Sequence, residues 1–363
     1  MTLYPTLNPT LNKSLNKDLN KSLSPLSGVQ PAQARREKSG LVDPDGRSLT
    51  YLRLSITDVC NFRCQYCLPR GYTGPPNSNF LNISEIRRLL TAFAELGMRK
   101  LRLTGGEATV RKDFAEIATV AANIDGIEKL AFSTNGYSLS RHARQWRQAG
   151  LTAVNVSVDS LEADTFYRLT GHNRLHDVLS GIEKAVETGF DQVKINAVLL
   201  RGINDNAVDD FLNWIRDRPV DVRFIELMQT GNNLAYFQKH HVSAEFIKQK
   251  LLAQGWGQQP RAADAGPAVA FGHPDYRGSV GLIAPYSKDF CQSCNRLRVT
   301  ATGDLRLCLF GDHGASIRHL LQADEQKSAL KEKINELLQY KRSSHLLANG
   351  DTGETIHLAS VGG

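Results

Sequence analysis

Cys60, Cys64 and Cys67 form a C-x₃-C-x₂-C triplet, and Cys291, Cys294 and Cys308 form a C-x₂-C-x₁₃-C triplet. These are all six cysteines of the chain, and each triplet is one ligand short of a closed site. Structural zinc sites and electron-transfer clusters are usually closed by four protein ligands. Three thiolates on a four-iron cubane leave one iron open to a group that is not protein. Two such triplets in one chain suggest two small molecules, each held on an iron.

A second set of chemically competent residues sits on strands. Side chains alternate along a strand. Arg53 and Ser55 therefore share one face of 51–56, and Leu52, Leu54 and Ile56 the other. Arg102 and Thr104 oppose Leu101 and Leu103, and Asn155, Ser157 and Asp159 oppose Val154, Val156 and Val158. Lys194 and Asn196 oppose Val193 and Ile195, and Arg223 adds a further cation. A sheet covered by helices turns its apolar face to them, so the polar face points inward. Buried cations need partners. Acids such as Asp159 or Glu226 are candidates for some, but four cations from different strands suit a multiply charged anion such as a polyphosphate.

The elements that position these groups are strands at 51–56, 100–104, 129–134, 153–158, 192–199 and 221–225. Helical patterns such as 84–96 and 174–188 lie between them, and Gly97, Gly150 and Gly189 follow helix ends. Six βα units in this order predict a parallel sheet with right-handed crossovers, an α/β fold of the incomplete (βα)6 TIM-barrel type. A doubly wound open sheet is the structural alternative. After about residue 258 the alternation stops. Residues 260–285 are rich in Ala, Gly and Pro, and a helical stretch follows at 324–340. The expected organisation is an extension at 1–40, a barrel at 41–258 and a smaller cluster-bearing domain or cap at 259–363.

The 1–40 segment is a crude Asn-, Ser- and Lys-rich repeat, which predicts a disordered tail. Residues 1–38 carry six basic and two acidic residues, hence +4 of the chain's net +7. The remainder is only weakly basic, so a nucleic-acid partner is not expected. No apolar stretch is long enough to span a membrane, and no secretory leader is evident. A cytoplasmic protein with reduced, metal-ligating thiols follows as the expectation.

The first triplet follows the first strand, at the end where βα barrels build active sites. The second strand ends in Thr104-Gly105-Gly106-Glu107. The glycines let backbone approach a ligand, and Glu107 can accept from an amine or hydroxyl. A zinc knuckle completed by histidine fits poorly, because the first histidine after Cys67 is His142. This pairing of motifs resembles the radical S-adenosylmethionine (SAM) superfamily. The resemblance implies a [4Fe–4S] cluster on Cys60, Cys64 and Cys67. Its open iron would chelate SAM, and reductive cleavage of SAM would give a 5′-deoxyadenosyl radical. Protein residues bind, orient and shield the cofactors.

The run Cys291-Gln-Ser-Cys294-Asn-Arg296-Leu-Arg298, with Cys308 beyond it, resembles the GTP 3′,8-cyclase family of molybdenum cofactor biosynthesis. Asp45-Gly46-Arg47, Ser133-Thr134-Asn135-Gly136, Arg223-Phe-Ile-Glu226-Leu-Met228 and the terminal Gly362-Gly363 extend the resemblance from about residue 41 to the end. It implies a second [4Fe–4S] cluster on Cys291, Cys294 and Cys308, with guanine on its open iron. It places GTP on Arg53, Arg102, Ser133, Lys194, Arg296 and Arg298, and SAM on Tyr66, Gly106, Ser157 and Met228. Gly362 and Gly363 match a tail that enters the barrel and is needed for catalysis. Leu68 stands where the family usually has Met, and Ala108 where it has Pro; altered packing is expected from both.

The implied reaction abstracts hydrogen from C3′ of GTP, joins C3′ to C8 and gives 3′,8-cyclo-7,8-dihydro-GTP. A cyclic pyranopterin monophosphate synthase would take the product onward, and a homodimer is compatible with the resemblance. The alternative enzyme is another radical SAM protein with an auxiliary cluster, acting on a peptide or other substrate. The non-enzymatic alternative is a zinc-binding module with an RNA or protein partner. Replacing any one of the six cysteines by Ser is expected to abolish turnover. Anaerobic assays of each variant check this, and retained turnover in Cys291→Ser contradicts the role of the second triplet.

Overall fold

The computed structural model describes residues 40–75, 79–262, 264–311, 314–356 and 358–362. The expected tail, apart from Gly40, and Gly363 lie outside the described residues. Six parallel strands form the centre: β1 (Tyr51–Thr57), β2 (Lys100–Gly105), β3 (Lys129–Thr134), β4 (Ala153–Ser157), β5 (Gln192–Leu199) and β6 (Asp221–Glu226). Each pairs in parallel with its sequence neighbour. The helices between them include α1 (Ile83–Glu95) and α5 (Leu175–Glu187), the latter preceded by α2 (Phe114–Ala122), α3 (Leu139–Gln148) and α4 (Ala163–Thr170).

Local chemistry accounts for these elements. In α1, the Asn82 side chain accepts from Glu85 N at 2.9 Å, and Glu85 Oε2 accepts from Asn82 N at 2.8 Å. This reciprocal cap satisfies two backbone donors that a helix start leaves unpaired. Ile86, Leu89, Leu90 and Phe93 then share one buried stripe against the sheet. Gly97, Gly150 and Gly189 all have φ between 80° and 95°, as their places after helix ends predicted. The strand faces divide as expected. Leu52, Leu54, Ile56, Leu101, Leu103, Val154, Val156, Val193 and Ile195 are all buried in the core that packs the helices.

The segment after residue 258 extends this same sheet. With β7 (Gly257–Gln258), it supplies β8 (Val269–Gly272), β9 (Ser279–Ile283), β10 (Arg296–Val299), β11 (Asp304–Arg306) and β12 (Gly314–Ser316). The order is β12-β11-β10-β1-β2-β3-β4-β5-β6-β9-β8-β7. Strand β9 runs parallel to β6 and β10 parallel to β1, so two further parallel strands flank the six. Residues 260–285, which broke the alternation, thus contain β8 and β9. The described residues form one compact unit.

Register then fixes where the triplets lie. Cys60 follows the C-terminal end of β1. Arg296 pairs with Tyr51 at the N-terminal end of β1, so Cys294 lies at the opposite mouth. Strand β11 is antiparallel to β10, with Arg306 opposite Arg298, and carries Cys308 back toward that mouth. Seven residues of β1 span about 20 Å between the two ends. Ile283 ends β9 at the level of Ile225 near the C-terminal end of β6. The chain from 284 to 295 must therefore return along the side where β9 and β10 remain unpaired, and it brings Cys291 and Cys294 with it.

The glycines after β2 are sterically required. A Cβ at Gly106 would stand 2.5 Å from both Asp58 O and Val59 O. One at Gly105, where φ is +142°, would stand 2.1 Å from Thr57 O. Gly106 N and Glu107 N donate to Thr57 O and Val59 O at 3.0 and 2.8 Å. The motif thus locks the backbone that leads into Cys60. Gly106→Ala is expected to cost roughly 1–3 kcal/mol through overpacking and to lower iron incorporation at the first triplet. A thermal melt with an iron assay checks this; wild-type values for both contradict it.

Candidate active site

The first triplet sits on a loop fastened to the end of α4. Arg63 N and Gln65 N donate to Thr170 O and Leu169 O at 3.1 and 3.0 Å. Phe62 is buried and stacks on His172 with ring centroids 4.7 Å apart. Cys67 N and Leu68 N both donate to Cys64 O at 3.0 Å, which turns the chain tightly between the last two cysteines. All six thiols of the chain are free. Burial pushes Cys60 up to about 11 and Cys67 to about 12, and Cys64 is raised as well. Asp159, Cys67 and Cys60 add to the rise at Cys64. Three soft donors in a partly buried loop fit an iron–sulfur cluster. Among the described residues no three His, Cys, Asp or Glu side chains converge as a single-ion site.

Three acids singled out in the sequence are all occupied by protein donors. Glu107 is buried, and its carboxylate accepts from Thr109 N, Thr109 Oγ1, Thr134 Oγ1 and Asn135 N at 3.1, 2.6, 2.8 and 2.5 Å. Its capacity is spent joining the ends of β2 and β3, so it supports the glycine motif instead of facing a ligand. Asp159 and Glu226 do not pair with the interior cations. Asp159 accepts from Tyr66 Oη and Val198 N, each at 2.8 Å, and burial lifts it to about 6. Glu226 accepts from Ser243 Oγ at 3.1 Å and Ala244 N at 2.7 Å. Both carboxylates are taken by nearer donors that strand periodicity does not reveal.

One cavity gathers Arg53, Lys100, Arg102, Lys194, Arg223, Arg296 and Arg298 with Cys291, Cys294 and Cys308. Its lining holds no carboxylate among the described residues. Met228, Asn155 and Asn196 also line it. The cations lower one another's proton affinity. Burial and then Arg298 hold Arg53 well below the usual range. Burial and then Arg102 bring Arg223 to about 10, and burial and then Arg296 bring Arg298 to about 10. Lys194 falls to about 6, through burial and then Arg223. Its ammonium donates to Gln192 Oε1 and has Asp221 Oδ2 only at 4.0 Å. Several buried polar atoms have no protein partner: Arg102 Nε, Ser133 Oγ, Asn196 Oδ1 and both amide atoms of Asn155. Such groups are costly unless something hydrogen-bonds to them.

The thiols of the second triplet sit in a different field. Burial raises Cys291, but hydrogen bonds with His345 and Ser344 bring it down to about 6. Burial likewise opposes ionisation of Cys294, yet Arg296 and Lys341 hold it at about 7. These thiols are primed to ligate as thiolates.

The chain end enters the same interior. The turn Leu358–Val361 lies against β1 and β2. Arg298 Nη1 donates to Val361 O at 3.3 Å and Gly362 O at 3.1 Å. Gly362 has φ +65°, and a Cβ there would stand 2.2 Å from Thr104 Cγ2.

Of the expected GTP contacts, Arg53, Arg102, Lys194, Arg296 and Arg298 meet in the cavity, and Ser133 lies beside Asn155 in register. Of the expected SAM contacts, Met228 lines the cavity, whereas Tyr66, Gly106 and Ser157 do not. Tyr51 and Lys100 were missed, although each lies two residues before a recognised cation on the same strand face. Phe290 and His345 were missed because only the fold brings them in. Ala108 opens a short 3₁₀ turn, at a position where Pro is equally at home, so that departure leaves the turn in place.

Residues 54–215 match the Radical SAM superfamily, and residues 220–347 match the Molybdenum Cofactor Synthesis C family. The chain superposes on SuiB of Streptococcus suis bound to S-adenosylmethionine with a TM-score of 0.57 at 11% identity, covering 85% of this chain and 75% of that one. That likeness concerns the fold, which with the first triplet defines a radical SAM protein. The GTP 3′,8-cyclase of Stenotrophomonas maltophilia (strain K279a) is 55% identical over 325 residues, 90% of this chain and all of the relative. That of Aeromonas hydrophila is 56% identical over 330 residues, 90% of this chain and 96% of the relative. The chain belongs to the GTP 3′,8-cyclase family. No described helix is long and apolar enough to cross a membrane.

The depressed Lys194 has a consequence for binding. A polyphosphate beside it raises its proton affinity, so binding above pH 6 takes up a proton and weakens as pH rises. Calorimetry with inorganic tripolyphosphate at pH 7.5, in buffers of different ionisation enthalpy, is expected to show this uptake. Lys194→Met is expected to remove it, and uptake unchanged in that variant contradicts the assignment.

Proposed function

We propose that this chain carries out radical SAM cyclisation of GTP to 3′,8-cyclo-7,8-dihydro-GTP, the entry step of molybdenum cofactor biosynthesis. The observation that carries the reading is the single cavity in which seven cations and no carboxylate meet three free thiols. A polyphosphate satisfies the cations, and the thiols accommodate a soft metal centre at one wall. Cys60, Cys64 and Cys67 would hold a [4Fe–4S] cluster and SAM, which would supply the hydrogen-abstracting radical. Cys291, Cys294 and Cys308 would hold a second cluster at the guanine end of the substrate.

The residues of the chain then divide the work. Arg53, Arg102, Lys194 and Arg298 neutralise the triphosphate, with Arg223 and Lys100 adding charge behind them. Ser133 Oγ and the Asn155 amide, unpartnered within the protein, are available to the ribose and phosphates. Arg296 lies beside Cys294, with its guanidinium nitrogen 4.0 Å from the sulfur, and meets the guanine edge. Tyr66, held by Asp159, forms part of the SAM side together with Gly106, Ser157 and Met228. Gly362 lies beside Ser55 and Thr104, and the Gly362-Gly363 end serves to exclude water from the reacting ribose. Fixing triphosphate and base together keeps C3′ and C8 in contact, a proximity contribution. The 41–258 barrel supplies the radical side and the 259–363 segment the base side. The enzyme works in the cytoplasm, and a cyclic pyranopterin monophosphate synthase consumes the product.

Arg296→Ala tests the reading. Its GTP turnover is expected to fall by a factor of ten or more, roughly 1.4 kcal/mol of lost stabilisation, while slow 5′-deoxyadenosine formation persists. Unchanged GTP turnover contradicts the assignment of Arg296.

A further inference from the structure

The inward face of the central sheet changes character along the barrel axis. Arg53, Arg102, Ala131 and Ala153 are register partners across β1 to β4. Two residues further along each strand, about 7 Å toward its C-terminal end, the next inward layer is Ser55, Thr104, Ser133 and Asn155. On these four strands that layer carries no charge. It lies between the arginine layer and Ser157, and Gly362 reaches it beside Ser55 and Thr104.

Asn155 has an unmet demand on both atoms of its amide. It is 1% exposed and lines the cationic cavity, and neither Oδ1 nor Nδ2 has a hydrogen-bond partner. Ser133 Oγ, on its register partner in β3, and Ser55 Oγ are buried and unpartnered as well. Lys194, its register partner in β5, gives its ammonium to Gln192 Oε1 instead. Leaving such groups bare is costly. The demand is two-sided: Oδ1 needs a donor and Nδ2 an acceptor, and exchanging the two atoms leaves that demand unchanged. Phosphate oxygens and thiolates answer only the acceptor half. A pair of adjacent hydroxyls answers both, because each can donate or accept.

We propose that Asn155 is a specificity-determining residue that reads the sugar of the nucleotide, its amide bridging the 2′ and 3′ hydroxyls of the ribose. The inference rests on the cyclase reading above and deepens it. In a nucleoside triphosphate the ribose is the neutral link between the anionic chain and the base. An uncharged layer beside the arginines suits that link and no other part of the substrate. Holding both hydroxyls fixes which face of C3′ is turned toward the SAM end.

The test uses the full reconstituted chain without reductant, so that nothing turns over. Anaerobic equilibrium dialysis measures its affinity for GTP, 2′-deoxyGTP, 3′-deoxyGTP, inorganic tripolyphosphate and SAM. The unaltered chain is expected to bind each deoxy nucleotide about tenfold or more weakly than GTP, because a buried polar group rejects an analogue that leaves it bare. Asn155→Leu, which keeps the branched shape, is expected to bind all three nucleotides alike at the weaker level, with tripolyphosphate and SAM affinities unchanged. Failure of the unaltered chain to bind GTP while it takes up tripolyphosphate and SAM overturns the cyclase reading and this proposal with it. Equal affinity for GTP and both deoxy nucleotides in the unaltered chain overturns this proposal alone. Discrimination that survives in Asn155→Leu also overturns it, as does a loss of SAM affinity there, which would assign the amide to SAM. If Asn155→Leu does not fold, Asn155→Ala in the same assay decides on the same criteria.

Discussion

The structure depends on the burial of mutually repelling cations around one cavity that no acid lines among the described residues. Removing an ion from water costs several kcal/mol unless a partner repays it. Here Asp159 is committed to Tyr66 and Glu226 to Ser243 and the Ala244 backbone, while of the cavity's cations Asp264 reaches only Lys100, at 3.5 Å, and Asp221 stands 4.0 Å from Lys194. Lys194 responds by giving up its proton near pH 6, and the arginines lose part of their basicity. The protein tolerates this because the rest of the barrel is heavily buried, with an apolar layer on the helix side of every central strand. Stability in the outer layer offsets strain in the inner one, and the strained layer is where a polyanion gains most on binding.

The second organising feature is polarity along the barrel axis. The first triplet follows the C-terminal end of β1, while β10 enters at its N-terminal end with the second triplet attached. On the proposed reading, a substrate lying between them would be reached by one centre at each end. The chain terminus ties the two ends together. Arg47 joins Ser343 O to Cys291 O, Thr355 Oγ1 donates to Leu309 O, and the terminal turn meets Arg298 and Thr104. The segment after residue 258 therefore supplies both flanking strands and the closing thread.

Much of this was legible in the sequence. Period-two alternation placed the strands within a residue or two and separated Arg53, Arg102 and Lys194 from the leucines and valines beside them, because one face must meet helices. Glycines at 97, 150 and 189 marked helix ends for a conformational reason. The pattern failed where partners are non-local. Glu107 accepts from Thr134 and Asn135 on the next strand, so its structural role is invisible from its own motif. Strands β8 to β12 are only three to five residues long, leaving little periodicity to detect. Arg47 owes its partners to a contact across 244 residues, and His345 packs against Phe290 and Phe310, neither of them near it in sequence.

The central claim is that one interior holds GTP between two metal centres and closes C3′ onto C8. The most direct measurement is anaerobic: the reconstituted chain with SAM, dithionite and GTP, its products followed by mass spectrometry. The account predicts 5′-deoxyadenosine together with a GTP isomer of unchanged mass. 5′-Deoxyadenosine with GTP left intact, from protein verified to carry both centres, would contradict it.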